Sequence, residues 1–313
     1  MRVAVTGAAG RLGTALVAAL AEAPFTGPGG PIAWDRAAFD LDSPDGIGAR
    51  LDRERPEVVV HAAAWSDVDG CALDPALAMR RNGLATGLLA QACADRDIDL
   101  VAISTNEVFD GRRLDGDGYA STDLPVPGNP YGTSKLDGER RAGEAFDGPT
   151  RASLGIVRTA WLFGTPGRDF PSRILGAASL AIAAGEPLRV VGDEWGTPTY
   201  IADVADAIVE LLAANAIGGI HHVVNGHFAT RADWGRYVVG RAGLAVAVVD
   251  VPMATWERPS TPPRWGVLAA TPLPSGEPLR VWPDAMADYA PALLRVIGSS
   301  GGSTAGQAAR APR

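Results

Sequence analysis

The chain has 313 residues, a formal net charge of −8 at pH 7 and 47% hydrophobic residues. Its length accommodates one large α/β domain with a smaller lobe. The acidic balance, without a long run of lysine or arginine, argues against nucleic acid as a partner, because phosphate backbones bind clustered basic charge.

The cysteines and the apolar segments further limit the classes of protein that the sequence allows. Cys71 and Cys93 lack a paired metal-ligand spacing, so we expect no metal site and no disulfide framework. No apolar segment reaches the ~18 residues of a membrane span. We therefore expect a cytoplasmic protein without membrane association, which could form a homodimer.

The chain begins with a predicted strand, a glycine-rich turn and a helix. Residues 2–6 are a short β-type run, and the helical apolar pattern starts at Leu12; between them lie Gly7, Gly10 and Gly13. Glycine permits a tight turn and a close backbone approach, and a helix start offers free N–H groups to a pyrophosphate. This order predicts a dinucleotide site; a tight turn without a ligand is the alternative.

The second strand is predicted at residues 32–35. Asp35 lies about twenty residues beyond the glycines, where an acid can bond the adenosine ribose hydroxyls. Arg36 follows it, and Arg11 lies within the glycine turn; either guanidinium could hold a 2′-phosphate. The signals for NAD and NADP therefore conflict, and both arginines could equally be solvated surface charges.

Helix and strand patterns then alternate. By residue number, we expect a helix from 43 or 45 to 53, a buried strand at 57–64, a helix at 75–94, a strand at 99–105, a surface loop at 111–130, a helix at 131–146 and a strand at 154–164. The third strand ends in Ala62, Ala63 and Ala64, which leave room for a flat ligand at the sheet edge or allow tight helix packing. The alternation predicts an α/β, Rossmann-like fold with a doubly wound parallel sheet.

The second half changes character. We expect helices at 172–184, 203–212, 231–242 and 281–297, strands at 188–191 and 219–224, and an irregular, proline-rich segment at 252–278. The predicted domains are a dinucleotide-binding core at 1–164 and a smaller C-terminal substrate lobe at 165–298, interleaved with core elements at about 200–225. Residues 299–313 are expected to form a disordered tail.

Three polar residues predict carbonyl chemistry. Tyr131 and Lys135 are one helical turn apart, and Thr105 ends a neighbouring strand. A lysine ammonium and an oxidised nicotinamide both favour a phenolate, so we expect a tyrosine tuned to protonate a ketone oxygen as hydride arrives. The threonine hydroxyl can hold the same oxygen.

With these motifs, the chain resembles the extended short-chain dehydrogenase/reductases and, within them, the dTDP-4-dehydrorhamnose reductases. The resemblance covers roughly residues 1–240 and rests on the glycine turn and on residues 61–69 (HAAAWSDVD), 104–111 (STNEVFDG), 129–136 (NPYGTSKL) and 158–161 (RTAW). It implies NADPH or NADH as the cofactor. The implied reaction reduces the C4 ketone of a dTDP-4-keto-6-deoxysugar, most simply dTDP-4-dehydrorhamnose to dTDP-L-rhamnose.

The resemblance also implies roles for single residues. Tyr131 is the implied proton donor, Lys135 binds the ribose and tunes Tyr131, and Thr105 contacts the substrate. Trp161 is implied on the sugar side. The implied cofactor-binding residues, besides the turn glycines, Tyr131 and Lys135, are Arg11, Leu12, Asp35, Asp40, Leu41, Ala62, Ala63, Ala64 and Trp65.

Two positions depart from the family pattern. The usual Asp-Tyr after the threonine is Asn106-Glu107 here, and we keep both as substrate-binding candidates. The pair is similar to the Thr-Asp-Glu of nucleotide-sugar 4,6-dehydratases, but an asparagine amide cannot act as that acid, so we rank reduction above dehydration. Another 4-ketosugar reductase, a 4-epimerase and a non-catalytic regulatory relative are the alternatives; the intact Thr105, Tyr131 and Lys135 argue against the last.

Overall fold

The computed structural model describes residues 1–113, 115–165 and 168–300. The first half contains β1 (Val3–Thr6), α1 (Arg11–Glu22), β2 (Ile32–Trp34), α2 (Ile47–Glu54), β3 (Val58–His61), α3 (Val68–Leu73), α4 (Pro75–Ala78), a π-helix (Met79–Leu84), α5 (Ala85–Ala94), β4 (Asp99–Thr105), α6 (Pro130–Phe146) and β5 (Leu154–Thr159). Short 3₁₀ turns lie at Pro44–Gly46, Asn106–Val108 and Met253–Thr255.

The second half contains β6 (Leu162–Phe163), α7 (Phe170–Ala184), β7 (Leu188–Val191), β8 (Trp195–Gly196), β9 (Thr199–Tyr200), α8 (Ile201–Ala213), β10 (Gly219–His222), β11 (Ala229–Thr230), α9 (Arg231–Arg241), β12 (Val248–Val251) and α10 (Trp282–Ser300). Within the described residues, no helix combines the length and the apolar character that crossing a bilayer requires.

A parallel sheet in the order β10-β5-β4-β3-β1-β2 forms the centre of the fold. Because side chains alternate along a strand, Val3 and Val5 pack with α1 and α8 on one face, whereas Ala4 packs with α2, α5 and α6 on the other. Both faces are thus covered, as all-parallel sheets require. The predicted doubly wound α/β fold is confirmed.

A third apolar cluster lies outside this sheet. It joins α7, α9 and α10 around the fully buried Trp234. In contrast, α8 packs on the central sheet and β10 is its outermost strand on one side. These contacts support the division into a core at 1–164 and a lobe at 165–298 interleaved near 200–225, which stays a prediction. Ser299 and Ser300 belong to α10, and residues 301–313 of the expected tail lie outside the described residues.

Three expected elements are interrupted. The helix predicted at 75–94 is broken by the π-helix, and Leu84 and Leu88 on it are exposed. The strand predicted at 154–164 breaks at Trp161, which adopts a left-handed φ of 40°. The connection between the predicted strand at 188–191 and the predicted helix at 203–212 contains β8 and β9. In each case a local turn or a tertiary contact, and not the apolar periodicity, sets where the element begins or ends.

Candidate active site

The glycine turn after β1 has the shape that a close backbone approach requires. Gly7 has a φ of +64°, and a Cβ there would lie 2.8 Å from the Ala63 backbone. A Cβ on Gly13 would overlap the Gly7 carbonyl oxygen, and Gly10 donates its N–H to that oxygen at 2.8 Å. A side chain at any of these three glycines would therefore open the turn. With glycine there, the start of the twelve-residue helix α1 stays accessible for a pyrophosphate.

A cleft extends from this turn along the carboxyl ends of β1, β2 and β3. Most of the predicted cofactor residues line it: Gly7, Gly10, Asp35, Asp40, Leu41, Ala62, Ala63, Ala64 and Trp65. Three do not. Leu12 and Gly13 are buried in α1, and Arg11 donates a hydrogen bond of 3.4 Å to the Leu162 carbonyl oxygen.

Thr105 and Tyr131 come together because α6 begins against the end of β4. Asn129 caps the helix: its Oδ1 accepts the Gly132 N–H at 2.9 Å. A Cβ on Gly132 would overlap the Glu107 carbonyl oxygen, so only glycine permits this approach. The Thr105 hydroxyl consequently lies close enough to the Tyr131 phenol to affect its pKa.

Lys135 lies one helical turn after Tyr131 and is buried. Burial lowers the pKa of its ammonium to about 8, although the Glu139 carboxylate opposes this effect. Glu139 itself is bound by the buried Arg158, with Nη2 2.6 Å from Oε2. Lys135 therefore sits in a desolvated position where a polar partner such as a ribose hydroxyl would stabilise its charge.

The protonation of Tyr131 differs from our expectation. Burial, and secondarily the negative charge of Glu107, raise the pKa of Tyr131, whereas the neighbouring Thr105 hydroxyl only partly lowers it. Burial therefore outweighs the neighbouring groups in setting the Tyr131 pKa, and the tuning of Tyr131 by Lys135 and an oxidised nicotinamide stays a prediction. Tyr131 is protonated at neutral pH, which is the form that donates a proton to a carbonyl oxygen.

Asn106 and Glu107 have structural partners. The Asn106 Nδ2 donates to the Gly266 carbonyl oxygen at 3.0 Å, which ties β4 to the C-terminal lobe. The Glu107 Oε2 accepts from the Asn129 Nδ2 at 2.5 Å, and burial raises the pKa of Glu107 to about 7. Their substrate-binding roles stay predictions.

Trp161 is held in its left-handed conformation by packing on both sides. A Cβ on Gly196 would overlap its indole ring, and the ring stacks at a 5.9 Å centroid distance on Trp234. The guanidinium carbon of Arg231 lies 3.5 Å from the Trp161 ring centroid. A bulky residue with positive φ is a strained exception that clusters at functional sites.

Sequence reasoning missed an arginine cluster beside this tryptophan. Burial lowers the pKa of the Arg173 guanidinium, and the positive charges of three nearby arginines lower it further. Arg231 and Arg11 contribute most after burial, and Arg258 adds to this. Arg231 is paired with Glu194 at 2.9 Å, and Arg258 with Asp69 at 2.9 Å. The Asp169 carboxylate opposes the lowering of the Arg173 pKa, but among the described residues no carboxylate forms a salt bridge with Arg173. The residues come from four distant segments, so no local spacing could have revealed them.

Comparisons with known proteins agree with this geometry. The family described as RmlD substrate binding domain matches residues 1–294. The chain belongs to the RmlD, or dTDP-4-dehydrorhamnose reductase, family. A dTDP-4-dehydrorhamnose reductase of Burkholderia thailandensis is 34% identical over 286 residues, 86% of this chain and 90% of the relative.

Two further matches broaden the comparison. A dTDP-4-keto-6-deoxy-D-glucose reductase of Streptomyces niveus is 37% identical over 235 residues, 74% of each chain. The crystal structure of a Bacillus anthracis dTDP-4-dehydrorhamnose reductase in complex with NADP has a TM-score of 0.81 and 26% identity, and covers 92% of this chain and 98% of that one. The predicted membership of this reductase family is confirmed.

Proposed function

We propose that this RmlD family member is an NAD(P)H-dependent oxidoreductase that reduces the C4 ketone of a dTDP-4-keto-6-deoxysugar, converting dTDP-4-dehydrorhamnose to dTDP-L-rhamnose. The observation that carries the proposal is the proximity of the Thr105 hydroxyl to the Tyr131 phenol, one helical turn from the buried Lys135. The sugar is supported by the names of the family relatives, which cover most of the chain.

Each polar residue has a defined task in this reaction. The glycine turn and the α1 N-terminus would hold the coenzyme pyrophosphate, and Lys135 would bind its ribose. The bound nicotinamide supplies the hydride. Thr105 and Tyr131 hold the ketone oxygen by two hydrogen bonds, and Tyr131 gives its proton to that oxygen as negative charge develops there.

The arginine cluster suits the substrate's diphosphate. Four guanidiniums share one region of a chain with net charge −8, and carboxylates pair with two of them. An anion would relieve the repulsion that Arg173 experiences, and guanidinium groups bind phosphate oxygens bidentately. Trp161, beneath Arg231, provides an apolar wall for the sugar.

A second candidate is reduction of a related 4-keto-6-deoxysugar. The Streptomyces niveus relative, named dTDP-4-keto-6-deoxy-D-glucose reductase, supports it at 37% identity. The chemistry at Tyr131 is the same in both reactions, so only the product's configuration separates them.

The cytoplasmic location and a homodimer also belong to the proposal; the two buried, free cysteines fit a reducing compartment.

The test is to mix the chain with dTDP-4-keto-6-deoxysugar and to follow NADPH and NADH absorbance separately. Tyr131→Phe should lower kcat by about 10³-fold, because general acid catalysis contributes on that order, while coenzyme affinity stays nearly unchanged. Tyr237→Phe, which removes a phenol that donates to the Pro283 carbonyl oxygen in the lobe, is the matched control. An undiminished rate in Tyr131→Phe would overturn the acid assignment, and turnover without added coenzyme would favour an epimerase.

A further inference from the structure

Three carboxylates and two guanidiniums surround one end of the coenzyme cleft, beyond the end of β2. They belong to Asp35, Arg36, Asp40, Asp42 and Arg81. Asp42 binds both arginines: Arg81 donates through Nε and Nη2, each at 2.6 Å, and Arg36 donates through Nη2 at 3.0 Å. The Asp42 carboxylate thus binds both guanidiniums of this group of five residues, which we call the rim.

Arg81 is fixed from a second side. It lies on the π-helix, and its guanidinium carbon is 5.2 Å from the centroid of the Trp65 ring. The neighbouring Asn82 holds Trp65 in place, because its Oδ1 accepts the Trp65 N–H at 2.8 Å and its Nδ2 donates to the Trp65 carbonyl oxygen at 3.0 Å. Arg81 is therefore the better positioned cation, whereas the Arg36 side chain is 74% exposed.

The charge at this rim opposes a phosphate. The three aspartates and two arginines that line it carry one net negative charge, and Arg80 outside the lining also helps to lower the pKa of Asp42. A phosphate monoester carries about −1.5 to −2 at neutral pH, so it meets repulsion unless a guanidinium is available. Asp35 accepts the Ala38 N–H through Oδ1 alone among the described residues, and its second oxygen can accept a ribose hydroxyl.

We propose that Asp42 is the residue that sets the coenzyme preference of this cleft: by engaging Arg36 and Arg81, it favours NADH, with a free 2′-hydroxyl, over NADPH, with a 2′-phosphate. NADPH has to compete with the Asp42 carboxylate for both guanidiniums, whereas NADH leaves these ion pairs intact. This inference rests on the proposed function only in placing a nicotinamide dinucleotide in the cleft.

The test measures binding rather than turnover. The full chain is titrated with NADH and with NADPH, without sugar, and the two Kd values are read from nicotinamide fluorescence. The unsubstituted chain should bind NADH more tightly. Asp42→Asn should shift the ratio of the two Kd values towards NADPH by about tenfold or more, the value of one charge-assisted hydrogen bond.

Two further variants make the result specific. Asp52→Asn removes another surface aspartate, which binds Arg96 bidentately outside the cleft at 2.8 and 3.1 Å, and should leave the ratio unchanged. Adding Arg81→Gln to Asp42→Asn should abolish the gain for NADPH. A preference for NADPH in the unsubstituted chain, or an unchanged ratio in Asp42→Asn, would overturn the inference alone. Failure of the unsubstituted chain to bind either coenzyme would overturn the proposed function as well.

Discussion

Replacing Glu107 by Gln should make the protein more stable at alkaline pH, because it removes a charge that the fold disfavours. Burial raises the pKa of Glu107 from 4.5 to about 7, and Glu194 adds to this, whereas Asn129, Arg231 and Arg258 oppose it. The Cys71 thiol and the Tyr131 phenol also face this carboxylate. A glutamine oxygen can still accept the Asn129 hydrogen bond, so the substitution removes the charge and keeps the contact.

The sign of the pH effect on stability follows from the direction of the Glu107 pKa shift. A carboxyl whose pKa is higher in the folded chain binds more protons there than in the unfolded chain. Its contribution to stability is fully present below pH 4.5 and is lost as the pH rises through about 7. The difference between these two values corresponds to about 3 kcal/mol of unfolding free energy.

Thermal unfolding of both proteins at about pH 5 and about pH 8 measures the effect. Relative to the unsubstituted chain, Glu107→Gln should gain roughly 5 °C in Tm on going from the acidic to the alkaline condition. Buried His61 and His222, whose pKa values are lowered by burial to about 3 and about 4, are present in both proteins and cancel. Glu144→Gln, an exposed position on α6, is the control. Parallel Tm curves for Glu107→Gln and the unsubstituted chain would refute the reasoning.

Two further substitutions test the turn and the buried ion pair. Gly13→Ala brings a Cβ against the Gly7 carbonyl oxygen, so the turn must open; fluorescence titration should show NADH affinity reduced by about tenfold or more, and retained affinity would contradict the close approach. Arg158→Met leaves the buried Glu139 carboxylate without its cation and should cost about 3–5 kcal/mol in urea unfolding; a loss near zero would show that the pair is dispensable.

The parts of the fold that sequence could predict are those with local causes. The glycine turn, strand β4 and the start of α6 are each marked by neighbouring residues: glycines, a β-branched run and Pro130. Because parallel strands present their carboxyl ends at one edge, these local elements also predicted that Thr105 and Tyr131 would meet.

The remaining parts depend on contacts between distant segments. The arginine cluster joins α1, α7, α9 and the loop before Arg264, and no spacing in the sequence links them. Trp161 adopts positive φ because the ring must fit against Gly196 and Trp234, which are 35 and more residues away. The π-helix carries Asn82, which binds the Trp65 backbone 17 residues away, and this contact has no signal in the local sequence.

Tyr131 shows why motif spacing could not give the sign of a pKa shift. The four-residue interval to Lys135 is local, and it predicts an ammonium that favours the phenolate. Desolvation acts on the whole environment, and here it raises the pKa of Tyr131 and lowers that of Lys135. Both pKa shifts favour the neutral side chain over the charged one in the same buried region. The resting pair is therefore suited to giving a proton to a ketone, and oxidation of an alcohol would first require the phenol to ionise beside the Glu107 carboxylate.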